Sequence, residues 1–194
     1  MARFRQILVF DRFLARVFAE FGDRVIVKGG VVLEFRLARA RTTRDVDLRL
    51  VGSPDDVLGH LQAAGRRDLG DYLAFAIEID REHPTIEGEG VVYEGRRYRA
   101  EGKLAGKPYG VPFGVDVAFG DVLISAPDII KGRHLLDFAG IAPTSLRLYP
   151  REAHIAEKLH APGDGFKSHR RLHSTSAATS FDRSAAVERV MTGE

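Results

Sequence analysis

The chain contains no cysteine and no tryptophan, and only two methionines. Without thiols it can build no disulfide framework, no thiolate nucleophile and no sulfur-ligated zinc cluster. Long apolar runs are missing as well. The longest are a few residues, such as 7 to 10, and Arg3, Arg5, Asp11, Arg12 and Arg16 interrupt the apolar residues of the N-terminal stretch. That pattern excludes a membrane span and argues against a cleavable leader, so a soluble cytoplasmic protein is the expectation. An excess of one charge is also absent: 29 Lys and Arg against 27 Asp and Glu leave a formal +2. The pI near 9.0 and the preference for Arg admit a polyanionic partner, because the guanidinium fork matches phosphate, although ordinary surface solvation accounts for the same balance. What is present is 44% hydrophobic content over 194 residues, enough for one domain core with a small helical appendage.

Hydrophobic periodicity organises the chain. Residues 3 to 20 repeat apolar positions every three or four residues, predicting an amphipathic helix that Gly22 ends. Residues 24 to 28 read as a short buried strand, Gly29 and Gly30 follow at once, and 31 to 38 continue as a helix. Residues 44 to 50 alternate polar and apolar, the period of a half-buried strand. Ser53 and Pro54 suit the cap and first turn of a helix reaching Ala64, with Asp55 and Asp56 near its positive end. Segments 75 to 80, 91 to 93, 96 to 104 and 111 to 119 read as strands joined by glycine-containing turns. A last helix runs from Arg151 to about His160, with Ile155 and Leu159 on one face. The expected organisation is a catalytic domain over 1–149, the start of a helical region over 150–161, and a tail over 162–194 too polar to order itself.

Within this frame one constellation carries chemistry. Residues two apart on a strand project to the same side, so Asp45 and Asp47 face one space and can share a divalent cation. Bringing two unpaired carboxylates together raises their pKa, a penalty that Mg²⁺ between them removes. Asp116 sits in the alternating strand 111 to 119, with Val115 and Val117 facing the other way, and can supply a third ligand. Gly29 and Gly30, separated from Asp45 by fourteen residues of connection, sit where a strand gives way to a helix and bare N–H groups can receive phosphates. Neither the Walker pattern nor the dinucleotide fingerprint occurs. Each piece has a bland counterpart: Asp-X-Asp decorates solvated strands, Gly-Gly is often only a turn, and Asp116 could pair with an arginine. It is their order and spacing that point to a metal-dependent nucleotide site. Arg41, Arg44 and Arg49 stand nearby as phosphate contacts or as surface charge, and His154 and His160, six apart, form no metal cluster.

The runs Lys28-Gly-Gly-Val-Val-Leu33, Arg41-Thr-Thr-Arg-Asp-Val-Asp47, Val115-Asp-Val117 and Ala156-Glu-Lys-Leu-His160 resemble the AbiEii/AbiGii-type nucleotidyltransferase toxins of abortive-infection and toxin–antitoxin systems. The likeness covers about residues 1 to 161. It implies the DNA polymerase β-like fold, an α/β (α+β) arrangement with a mixed sheet flanked by helices and a helical C-terminal part. It also implies a magnesium-dependent transferase that moves a nucleoside monophosphate from a nucleoside triphosphate to an acceptor, expected to be tRNA, until an antitoxin intervenes. In that scheme Asp45, Asp47 and Asp116 hold Mg²⁺, and Asp116 helps deprotonate the attacking hydroxyl. Lys28, Gly29, Gly30 and Arg44 bind the nucleotide, and Lys158 matches the family's helix lysine.

The family pattern continues with a basic residue and a paired-aspartate motif, which residues 162 to 194 do not show; their Asp182 lacks the surrounding apolar pattern. The expectation is therefore a chain truncated, or shifted in reading frame, near residue 161. Two competitors share parts of the logic: a transferase acting on a small molecule such as an antibiotic, and a truncated, inactive relative that only binds nucleotide or RNA.

Overall fold

The computed structural model describes residues 2–36, 43–52, 55–82, 84, 95–120 and 126–150. The opening periodicity becomes helix α1 (Ala2–Phe21), whose Phe10, Phe13, Leu14, Val17 and Phe21 are buried along one stripe. Gly22, at φ 58°, turns the chain out of the helix, and a single 3-10 turn leads to β1 (Val25–Lys28). Helix α2 (Gly29–Arg36) follows with no linking residue. Then come β2 (Asp45–Val51), α3 (Val57–Arg66), β3 (Leu73–Ile79), β4 (Gly95–Leu104) and β5 (Lys107–Pro108). Strands β6 (Phe113–Gly120), β7 (Asp128–Lys131) and β8 (Ser145–Leu148) complete the described elements.

The strands form one mixed sheet in the order β3-β4-β6-β2-β1-β8-β7, with β5 hydrogen-bonded to β4. Strand β2 runs parallel to β6, and β1 parallel to β8; the other pairs are antiparallel. The expected mixed sheet flanked by helices is therefore what forms. Alternation sorts its faces: Val46, Leu48 and Leu50 of β2, Val115 and Val117 of β6, and Tyr98 and Ala100 of β4 are buried in the core with the stripes of α1 and α3. Phe13 meets Phe75 and Phe113 edge to face, with ring centroids 5.3 and 5.2 Å away, a geometry that adds to the area each ring buries. Because one parity of β2 and β6 is committed to this core, the other must carry the polar residues.

Some expectations are displaced. Helix α3 takes Asp56 as its cap, its carboxylate accepting from the Gly59 N–H at 2.8 Å, so the cap lies three residues beyond Ser53. Strands β5, β7 and β8 were not anticipated. The strand expected at 91 to 93 and the helix expected from Arg151 lie outside the described residues. By contact the chain divides into Met1–Pro162 and Gly163–Glu194, and every described residue belongs to the first unit. No helix among the described residues is long and apolar enough to cross a membrane.

The polar residues of α1 are a second surprise. Asp11, Arg12 and Arg16 are buried, and Arg16 directs all five of its N–H groups to acceptors. Two go to Asp71, at 2.9 and 2.5 Å, and the others to the carbonyls of Arg12, Arg67 and Leu73. Arg12 adds a bond of 2.7 Å to the same Asp71. This cluster fastens α1 to the connection between α3 and β3.

Candidate active site

Register sets the site. Lys28 of β1 is paired with Asp47 of β2, Asp47 with Asp116 of β6, and Asp116 with Arg97 of β4. Four adjacent strands thus carry a row of charges, plus, minus, minus, plus, on the face turned away from Val46, Leu48, Val115 and Val117. Asp45 stands one step along β2, opposite Gly114. The sequence expectation that three carboxylates from two neighbouring strands share one face describes this arrangement.

They do not point at one spot. Asp45 lies over Gly114, where an added Cβ would come within 2.4 Å of its Oδ1, so a side chain there would push the carboxylate aside. Asp47 leans towards the turn at Gly29, where a Cβ would meet its Oδ2 at 1.8 Å. Gly29 also adopts φ 70°, a left-handed conformation that disfavours any side chain. Asp116 is turned the other way and accepts two bonds from Arg97, Nε to Oδ1 and Nη2 to Oδ2, each 2.7 Å. Among the described residues no three His, Asp or Glu side chains are gathered closely enough to hold a metal as they stand.

The electrostatics nonetheless favour a cation. The Asp47 carboxyl is raised above the ordinary range, first by burial and then by the charges of Asp116 and Asp45; Lys28 and Arg97 offset this in part. An all-oxygen donor set next to a turn that any Cβ would fill suits a hard divalent ion better than a soft one.

Comparisons with known proteins give the family and the fold. The family model described as "Nucleotidyl transferase AbiEii toxin, Type IV TA system" matches residues 12–171. The chain belongs to the AbiEii nucleotidyltransferase toxin family. Its fold is similar to that of MenT4, a nucleotidyltransferase toxin from Mycobacterium tuberculosis, with a TM-score of 0.52 and 18% identity over 81% of this chain and 52% of that one. JHP933 from Helicobacter pylori aligns with a TM-score of 0.48 and 16% identity, over 83% of this chain and 59% of that one. The AbiEii chain thus spans 52% and 59% of the lengths of these two structures. No curated protein sequence matches.

Other expected residues of this AbiEii family member fall as follows. Gly29 and Gly30 open α2 directly after β1, and a Cβ on Gly30 would lie 3.0 Å from Thr43 Oγ1. Lys28 reaches the ring of Tyr149, its Nζ 4.3 Å from the centroid. Arg44 is exposed just before β2, its carbonyl accepting from the Gly114 N–H at 3.3 Å, and Arg49 lies against Gly120. Arg41 and Lys158 lie outside the described residues.

Sequence reasoning missed three contributors. Arg97 was only one residue of an expected strand, and its pairing with Asp116 needs the β4–β6 register to be seen. Glu34, buried in α2, accepts from the Thr43 N–H at 3.3 Å, while Thr43 Oγ1 donates to the Asp45 carbonyl at 3.1 Å. The chain leading into β2 is thereby tied to the helix that carries the glycines. Tyr149, the third, follows β8, and the N–H it donates to the Val27 carbonyl at 2.9 Å brings its ring beside Lys28.

Proposed function

We propose that this AbiEii family member transfers a nucleoside monophosphate from a nucleoside triphosphate to RNA, with tRNA as the acceptor, and acts as a toxin of an abortive-infection or toxin–antitoxin system held in check by a cognate antitoxin. One observation carries the reading: Asp47 lies between Asp116 on the neighbouring strand and the turn at Gly29, so carboxylates and a glycine turn that opens a helix share one place. The backbone N–H groups of Gly29 and Gly30 bind the β- and γ-phosphates, where the positive end of α2 favours negative charge. Lys28, opposite Asp47 in the sheet, and Arg44, just before β2, add cationic charge, and Asp45, Asp47 and Asp116 would hold Mg²⁺. Bound there, Mg²⁺ neutralises charge on the triphosphate and on the oxygens exchanged at the α-phosphorus. The acceptor hydroxyl gives up its proton, with Asp116 accepting it; the new O–P bond forms as the bond to the bridging oxygen breaks, and pyrophosphate leaves. Lys158 belongs to the same scheme as a triphosphate contact.

Incubation with each labelled triphosphate, Mg²⁺ and total tRNA, comparing the native chain with Asp47→Asn, tests the reading. Label is expected on tRNA from one triphosphate, and the substitution is expected to cost several kcal/mol of transition-state stabilisation, roughly a hundredfold or more in rate. Transfer that survives Asp47→Asn contradicts the assigned role, and label found only on a small molecule replaces RNA as the acceptor.

A further inference from the structure

The geometry points to Arg97 as an internal competitor of the cation: it binds both oxygens of Asp116, and a divalent ion recruiting that carboxylate has to compete with it for them. The inference rests on the metal reading above and concerns how the site is kept closed.

Three observations meet here. Register leaves Asp116 between two neighbours, Asp47 on one side and Arg97 on the other, and its side chain is engaged by Arg97. Both Asp116 oxygens are used at 2.7 Å, the paired geometry in which a guanidinium binds a carboxylate most specifically. A metal entering between Asp47 and Asp116 therefore competes for atoms already bonded. Finally, the Arg97 side chain is 34% exposed and that of Asp116 14%, so the clasp opens towards water instead of into the core. A part-buried pair in contact with water exchanges more readily than one sealed in the core. Once released, the same fork is equally suited to phosphate oxygens, which gives Arg97 somewhere to go when a triphosphate accompanies the metal.

The test reads metal binding, not turnover. Mn²⁺ is titrated into the nucleotide-free native chain and into Arg97→Gln, Arg97→Lys and Arg99→Gln, with free Mn²⁺ followed by electron paramagnetic resonance. Arg99, two residues along β4 and opposite Gly114, controls for the loss of a nearby positive charge without the clasp. Arg97→Gln is expected to bind roughly tenfold tighter. Arg97→Lys, which keeps the charge and loses the paired geometry, should fall between it and the native chain, and Arg99→Gln should match the native chain. In an Asp116→Asn background the Arg97→Gln gain should vanish. Equal or weaker binding by Arg97→Gln overturns the inference and leaves the metal reading intact, as does an equal gain from Arg99→Gln. Absence of Mn²⁺ binding by every variant overturns the metal reading and this inference together. Melting curves without metal verify that each variant is folded, and Mn²⁺ should raise the melting temperature of Arg97→Gln more than that of the native chain.

Discussion

Two arginine–aspartate pairs of the same chemistry sit in opposite surroundings. Arg16 and Asp71 have fully buried side chains, whereas Arg97 and Asp116 are 34% and 14% exposed. In the first pair each guanidinium N–H has an acceptor and Arg12 adds a second cation, so the bonds have no alternative partner and act as a structural rivet. In the second, water and any incoming ion compete for the same atoms. Burial, not the identity of the residues, separates a fastening from an exchangeable clasp.

The comparison breaks first on stability. Arg16→Met leaves Asp71 buried with two of its four hydrogen bonds gone and should cost about 3–5 kcal/mol, while Arg97→Gln should cost less than about 1 kcal/mol. Urea unfolding of the two variants beside the native chain measures both, and similar losses would erase the distinction. Acid sharpens it next. Burial pushes the Asp71 carboxyl up, but the bonds from Arg16, Arg12 and the Leu73 N–H outweigh this and hold it at about 2, against an ordinary 3.8. A depressed folded-state pKa gives stability that is complete above the unfolded value and is lost as pH falls through the folded one. About 2 kcal/mol should therefore disappear between roughly pH 4 and pH 2. Asp11, raised by burial, works in the opposite sense, so the contribution is isolated by comparing the native chain with Asp71→Asn, whose acid profile should be flatter over that window. An effect smaller than that of acid belongs to the glycine turn beside Asp47. Gly29→Ala forces a side chain into left-handed backbone and against Asp47, and should cost about 1–2 kcal/mol. Its transfer activity should fall far more than its melting temperature, and an unchanged rate would remove the turn from the site.

How much of this could be read from residues alone follows the range of the interactions. The β2 strand and its two aspartates were legible because alternation is local, and the turn at Gly29 because glycine is the residue that left-handed backbone there requires. The identity of the face bearing Asp116 followed from Val115 and Val117 in the same way. Strands β7 and β8 were not legible. Each is four residues long, and β8 earns its place by lying parallel to β1, a pairing between residues 27 and 148 that no local pattern announces. Arg12 and Arg16 were read as charges that break an apolar run, which is correct for a membrane and uninformative about a buried partner at Asp71. Arg97 failed for the same reason: its meaning lies across the sheet.

The parallel pairing of β2 with β6 has a consequence for when the acidic pair comes into being. Asp47 and Asp116 are neighbours only through a ladder that runs from Asp45–Gly114 to Val51–Gly120, and a slip of one residue would send a carboxylate into the core and a valine into the site. A polypeptide emerging from the ribosome presents Asp45 and Asp47 long before Asp116 exists to face them. Until β6 has been made and zipped into register, the nascent protein carries two of its acidic groups but not the third.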